Sequence, residues 1–234
     1  MKHRKFSILI LIAFCAISMS GCMGKKDITK EVLEHMQNKY DDTFEYAAPF
    51  GGGMGNVTTQ MLLTSEKYPG KTIWIECYVD EDDNINIVDN YLSIKYEQQT
   101  AELINEIIDK TTDKDFAVFY DLPLQAFTKG ASKETTFEEY ISQPSSDICF
   151  IAIVDAQGEI DRDAFEQELE KNIVESGLCC RIGDVFFDSS GNYNSITIEN
   201  LESYIIKDLY DYSFTFCMAD NESIDYKEWN NPED

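Results

Sequence analysis

Residues 148–154 read Ile-Cys-Phe-Ile-Ala-Ile-Val without a polar interruption. A strand of that composition leaves neither face fit for water, so it predicts a central strand covered on both sides. Residues 161–175 follow with Phe165, Leu169 and Ile173 four apart and acids in the first turn. That is the pattern of a helix whose positive dipole end attracts carboxylates. Leu178 to Phe187 then returns to a strand-like run. Any fold for this chain has to supply layers on both sides of that central strand.

The rest of the chain extends the pattern. Residues 28–40 carry Ile28, Val32, Met36 and Tyr40 four apart, one apolar stripe of a helix. Residues 41–56, with Pro49 and the Gly51–Gly53 run, read as a loop. Val57 to Ser65 and Lys71 to Val79 read as strands joined by a Tyr68-Pro69-Gly70 turn. A short Ile-Asn-Ile-Val strand and a helical segment over 90–110 follow, and a polar break at Thr111–Asp115 is the candidate subdomain boundary. Beyond it come a strand at Phe116–Tyr120, a short helix at Thr135–Ile141, a helix-like segment near 200–209 and a strand at Tyr212–Met218. The expected class is α+β, with two small sheets backed by helices after a cleaved N-terminal signal. The expected divisions are a signal peptide over 1–21, a tether over 22–27, subdomains over 28–112 and 113–220, and a polar, frayed tail over 221–234.

The first 22 residues read as an address rather than as fold. Lys2, Arg4 and Lys5 precede a largely apolar stretch from Phe6 to Ile17, the layout of an export signal. Met19, Ser20 and Gly21 then lead to Cys22. That ending resembles a bacterial lipobox, with Met19 where Leu is usual, and the resemblance implies that Cys22 is lipidated and becomes the mature N-terminus. Two other readings stay open: an ordinary cleaved signal with Cys22 incidental, or an uncleaved span built on the uncharged residues 6–24. Stable anchoring needs two or more acyl chains. From Cys22 to Asp27 the chain reaches at most about 20 Å, so a lipidated protein would sit close to the bilayer, with Lys25 and Lys26 facing anionic headgroups.

Charge narrows the partners. The chain holds 44 Asp and Glu against 19 Lys and Arg, a formal −25, and loss of residues 1–21 removes three of the cations and no acid. Nucleic acid requires a cationic footprint, so it is not expected as a partner. The negative field instead favours a cationic protein or peptide. With 2 His in all, a multi-histidine metal site is not available, and no cofactor is expected. The cysteines outside the leader, Cys77, Cys149, Cys179, Cys180 and Cys217, are odd in number and contain no C-x-x-C. They read as core residues, the Cys179–Cys180 pair included, rather than as a disulfide framework or a zinc site.

Four segments resemble uncharacterised lipoproteins of low-GC Gram-positive bacteria. They are the lipobox, the helix ending Lys39-Tyr40-Asp41 before Phe44, the helix opening Asp89-Asn90-Tyr91-Leu92, and Thr136-Phe137-Glu138-Glu139-Tyr140. The resemblance covers most of the mature chain. It implies a membrane-tethered extracytoplasmic α+β protein and no particular catalysis.

Motifs that could carry chemistry are thin. Asp80-x-Asp82-x-Asn84 and Asp188-x-Ser190-x-Asn192 begin like calcium loops, but Ile85 and Tyr193 stand where the loop needs Gly, so both read as hairpin turns. The Gly51–Gly55 run lacks the Lys-Ser/Thr pair of a phosphate loop. His35 reads as a surface residue of a helix, and no G-x-S-x-G occurs. Trp74 and Tyr78 share one face of a strand and belong either to a second buried layer or to a binding surface. The expectation is a non-catalytic binding module. The alternatives are an accessory subunit of a membrane complex and, after it, a wall-polymer hydrolase working through carboxylates alone.

Overall fold

A computed structural model describes residues 28–51, 58–79, 85–120, 130–158 and 160–231. The lipobox, the 80–84 turn and most of the glycine run lie outside the described residues. In chain order the elements are α1 (Thr29–Tyr40), β1 (Phe44–Gly51), β2 (Thr58–Ser65), β3 (Ile73–Val79), β4 (Ile85–Asp89), α2 (Tyr91–Lys95), α3 (Glu97–Thr111) and β5 (Phe116–Phe119). There follow α4 (Phe137–Ile141), β6 (Ile148–Asp155), α5 (Arg162–Ser176), β7 (Cys180–Asp188), α6 (Ile198–Ile206), β8 (Tyr212–Cys217) and β9 (Tyr226–Asn230). Strands β1–β4 form an antiparallel sheet in sequence order, and β5–β9 form a second sheet, again in sequence order. Only the β6–β7 pair in the second sheet is parallel, and α5 makes the crossover between them. The chain is α+β with helices against both sheets, as its sequence pattern predicts. Among the described residues no helix is long and apolar enough to cross a membrane.

The predicted central strand is covered twice. Phe150, Ala152 and Val154 of β6 point into the main core, with Val185 and Phe187 of β7, Phe214 and Phe216 of β8, and Phe165, Leu169 and Ile173 of α5. The alternate residues Ile153 and Phe186 point the other way, into a smaller core with Tyr193, Leu201 and Tyr204. The main core continues without a break through Leu63, Ile73 and Ile75 of the first sheet and Ile104, Ile107 and Ile108 of α3. The polar break near residue 112 therefore falls between two sheets that share one apolar interior. Gly183 permits this packing: a Cβ there would sit 2.2 Å from the ring of Phe216, which lies across the strand.

Helix ends follow local chemistry. Asp161 caps α5 by accepting the Ala164 N–H, and Gly177 closes it at φ 74°. Thr136 and Glu139 form a capping box at α4, inside one of the segments that carry the family resemblance.

Three expectations are corrected. Residues 44–51, read as loop, form β1. It is an edge strand, where Pro49 loses no ladder bond that the fold needs, and irregularities at Tyr46/Ala48 and Pro49/Gly51 bend it. The tail as far as the described residues reach is not frayed: β9 pairs with β8, and Trp229 packs 4.8 Å from Phe214 and 5.5 Å from Phe187. Arg162 covers this cluster from outside, 4.2 Å over the Tyr212 ring. The helical segment over 90–110 is two helices that meet at Tyr96.

Candidate functional site

At one end of the second sheet, strand ends and packing geometry leave space. Parallel strands β6 and β7 end side by side at Asp155 and Asp188. The crevice outside the carboxyl ends of such strands is where open sheets commonly hold ligands. Here the chain leaving β7 turns at 189–192, makes a short 3-10 turn at Tyr193–Ser195 and enters α6, which packs its Leu201 and Tyr204 on the minor core. Between that turn and α6 lies a cavity of about 380 Å3 lined by Asp188, Ser190, Asn192, Ser195, Ile196, Asn200, Ser203, Tyr204 and Leu209. The volume falls within the range of small-molecule sites.

The walls are fixed by side-chain to backbone bonds. Asp188 Oδ1 accepts the Ser190 N–H at 2.7 Å, and the Asp188 carbonyl accepts the Ala156 N–H at 3.0 Å. Ser190 Oγ accepts from the Asn192 N–H, and the Ser195 hydroxyl donates to the Asn192 carbonyl at 2.7 Å. Asn200 Oδ1 accepts the Thr197 N–H at 2.8 Å, while its amide nitrogen donates to the Ser195 carbonyl. Asp211, just before β8, accepts the Ser189 N–H at 2.6 Å and binds the far end of the turn to the sheet. Gly191 takes φ 75°, a left-handed conformation that favours glycine at this bend.

Two groups in this wall are left over. Asp188 is 2% exposed and Tyr204 is 6% exposed, yet Asp188 Oδ2 and the Tyr204 hydroxyl have no hydrogen-bond partner. They lie close enough for the carboxylate to act on the phenol, but the pair does not meet the geometry of a hydrogen bond. Burial first, and the Asp188 carboxylate next, push the Tyr204 pKa up, so the phenol stays protonated. Buried polar atoms are satisfied almost everywhere in folded proteins, because leaving one unmade costs about 1–3 kcal/mol. These two are orphaned together on one cavity wall.

The positions singled out from sequence land elsewhere, with one exception. Trp74 and Tyr78 are half-buried on the face of β3 opposite Ile73, Ile75 and Cys77, and neither lines the cavity. His35 is exposed on α1. Partial desolvation, and then the Lys39 ammonium, lower its pKa. Cys179 and Cys180 are buried and free, and burial pushes the Cys179 thiol up to about 11 and Cys180 well above its ordinary value. Among the described residues no group of three or more His, Cys, Asp and Glu could hold a metal ion.

The exception is Asp188-x-Ser190-x-Asn192. It is not a hairpin turn, because Tyr193, where a calcium loop needs Gly, anchors the chain in the minor core and directs it into α6. Asn200, Ser203 and Tyr204 had not been marked by sequence reasoning. The available signal was an acid closing an apolar strand in a strand–helix–strand unit, followed by a dense run of Ser and Asn.

Two of the segments that carry the family resemblance, Lys39-Tyr40-Asp41 and Asp89-Asn90-Tyr91-Leu92, also meet, but in a different way. Lys39 Nζ lies 2.8 Å from Asp89 Oδ2, and Tyr40 donates to Asp89 Oδ1 at 2.8 Å. The Tyr91 N–H bonds the same Oδ1, and the Tyr40 and Tyr91 rings stack at 4.1 Å. Nearby, Asp42 accepts from the Tyr91 hydroxyl and from Ser65. This is a satisfied polar brace linking α1 to β4 and α2. The shallow depression beside it, lined by Gln37, Asp41, Asp42, Thr43, Glu66 and Lys67, contains no orphaned buried atom.

A solved structure is similar to this chain. It is that of a DUF5037 family protein from Ruminococcus gnavus ATCC 29149, with 14% identity, a TM-score of 0.34, and coverage of 86% of this chain and 95% of that one. No family model and no curated protein matches the sequence.

Proposed function

We propose that this is a lipid-anchored extracytoplasmic lipoprotein, tethered to the cell membrane through Cys22, whose folded part is a non-catalytic binding module. The observation that supports binding most directly is the pair of orphaned buried groups, Asp188 Oδ2 and the Tyr204 hydroxyl, on the wall of a rigid cavity. A group left unsatisfied in the folded chain is a group a ligand can satisfy, and a prebuilt wall lowers the ordering cost of binding. The cavity lining supplies one carboxylate and no imidazole. Hydrolysis of a wall polymer by paired acids would need a second.

The accessory-subunit reading has its own support. Ile198, Ile206 and Leu209 are exposed on and just after α6, with Ile206 at 70%, and Leu209 also lines the cavity. Apolar groups beside a polar pocket suit a protein partner that covers the mouth.

The tether is tested by intact mass of membrane-extracted protein. The expected species begins at Cys22 and carries acyl mass, and Cys22→Ala releases the protein from the membrane fraction. A Cys22→Ala variant that remains equally membrane-bound would defeat the anchor. The binding module is tested by capture of partners from an envelope extract at low and moderate salt; capture of none at either would count against it.

A further inference from the structure

We propose that the cavity between the 189–195 turn and α6 is a site for a primary ammonium group on a ligand with no anionic group. The inference rests on the binding-module reading and names its ligand chemistry. Asp188 Oδ2 is a buried acceptor with no donor. None of the lining residues is Lys, Arg or His, so nothing in the wall neutralises that carboxylate or would welcome an anion. Further acids surround it. The alternation of β6 and β7 places Asp155 and Asp184 on the same sheet face as Asp188, and Asp211 closes the turn. Asp184 gives one oxygen to Thr215, and Asp155 and Asp211 give one each to backbone N–H groups; Asp188 is the carboxylate of this set whose remaining oxygen is buried without a partner.

An ammonium supplies three donors. One reaches Asp188 Oδ2 and one the Tyr204 hydroxyl, which accepts while its own proton turns toward Asp188. The third finds the Ser and Asn oxygens of the turn, of which Ser190, Asn192, Ser195, Asn200 and Ser203 line the cavity. The stem carrying the ammonium then passes Ile196 and Leu209, the apolar part of the wall. The same chemistry has two sources: a free aliphatic amine, or the lysyl side chain of a cationic protein partner. The acidic surface would attract either one.

The test is calorimetric titration of the folded protein with two matched pairs of probes. One pair is 1,4-diaminobutane and 1,4-butanediol. The other is Nα-acetyl-lysine methylamide and its Nε-acetylated form. The expected result is binding of the charged member of at least one pair and not of its neutral twin. Affinity should fall as salt rises, and Asp188→Asn should weaken it about 30-fold or more, as for loss of one partner of a buried ion pair. The pair that binds identifies the source. Equal binding of charged and neutral twins, or unchanged binding by Asp188→Asn, would overturn the proposal. So would the absence of binding by every probe. If envelope partners are captured by wild type and lost in Asp188→Asn while no amine binds, the ammonium assignment falls and the binding-module reading stands. If Asp188→Asn captures those same partners undiminished, the cavity loses its part in both.

Discussion

Asp89 and Asp188 are chemically the same residue in nearly the same setting. Each closes a strand and each is almost fully buried, at 1% and 2% exposure. Asp89 gives one oxygen to Lys39 and the other to Tyr40 and the Tyr91 N–H. Asp188 gives one oxygen to Ser190 and leaves the other without a partner, beside a tyrosine that is equally unpartnered. Burial alone therefore does not separate a structural carboxylate from a functional one. The separation lies in whether the chain finishes the set of hydrogen bonds. A completed set braces the fold, and an incomplete set reserves interaction energy for something else.

The largest effect tests what the two sites share. Tyr40 at Asp89 and Tyr204 at Asp188 both have their pKa raised, by burial first and by the adjacent carboxylate next. An unfolded tyrosine ionises near pH 10, whereas these phenols stay protonated in the folded chain. The folded state then binds more protons, so the stability tied to them is intact below about pH 10 and is lost as pH rises beyond it. The slope is up to about 1.4 kcal/mol per pH unit for each such tyrosine. Alkaline titration is expected to end in cooperative unfolding, with buried-tyrosinate absorbance rising together with loss of far-UV circular dichroism. Ionisation of the buried phenols well before that loss would show that neither site is closed to solvent.

The next effect sets the sites apart. Asp89→Asn removes the counter-charge of Lys39, whose side chain is 14% exposed, and is expected to destabilise by about 3–5 kcal/mol in urea denaturation. Asp188→Asn keeps an oxygen for the Ser190 N–H and removes a charge with an unsatisfied atom. It is expected to be neutral or to stabilise by about 1 kcal/mol, as functional sites often do when blunted. Equal losses at the two positions would break the comparison, because Asp188 would then have a structural partner after all.

How much of this was legible in sequence depends on the range of the interaction. The seven-residue apolar run at 148–154 needed no tertiary information to be placed at a sheet centre, and the i, i+4 series of α1 and α5 likewise specified their buried faces. Strands β1 and β9 were missed because edge strands tolerate the signals, Pro49 in one and a polar run in the other, that elsewhere mark loops. Lys39-Tyr40 and Asp89-Asn90-Tyr91 were noticed as part of a resemblance, but their ion pair joins residues 50 positions apart and could not be read locally. The cavity was half legible. Asp188, Ser190 and Asn192 stood out at calcium-loop spacing, but they read as a hairpin turn, and the crevice beside them became visible only once β6 and β7 paired in parallel. Tyr204 belongs to the site only because α6 folds back over the sheet, and Leu201 and Tyr204, three apart, look from sequence like ordinary core residues.

The smallest effect compares the two tyrosines directly. Tyr40→Phe deletes a hydrogen bond to a buried carboxylate and is expected to cost about 1.5–3 kcal/mol. Tyr204→Phe deletes a hydroxyl with no partner, so its cost should fall within about 0.5 kcal/mol of zero, or become a small gain. Pairing each change with its aspartate sharpens the contrast. The Tyr40–Asp89 cycle should return a coupling of about 0.5–3 kcal/mol, because the two groups share one bond. The Tyr204–Asp188 cycle should return almost none in the free protein. It should acquire coupling only when measured as ligand affinity, since the ammonium is what joins those groups. A strong Tyr204–Asp188 coupling without ligand would mean that the two already complete each other, and the cavity would have no free carboxylate oxygen to offer.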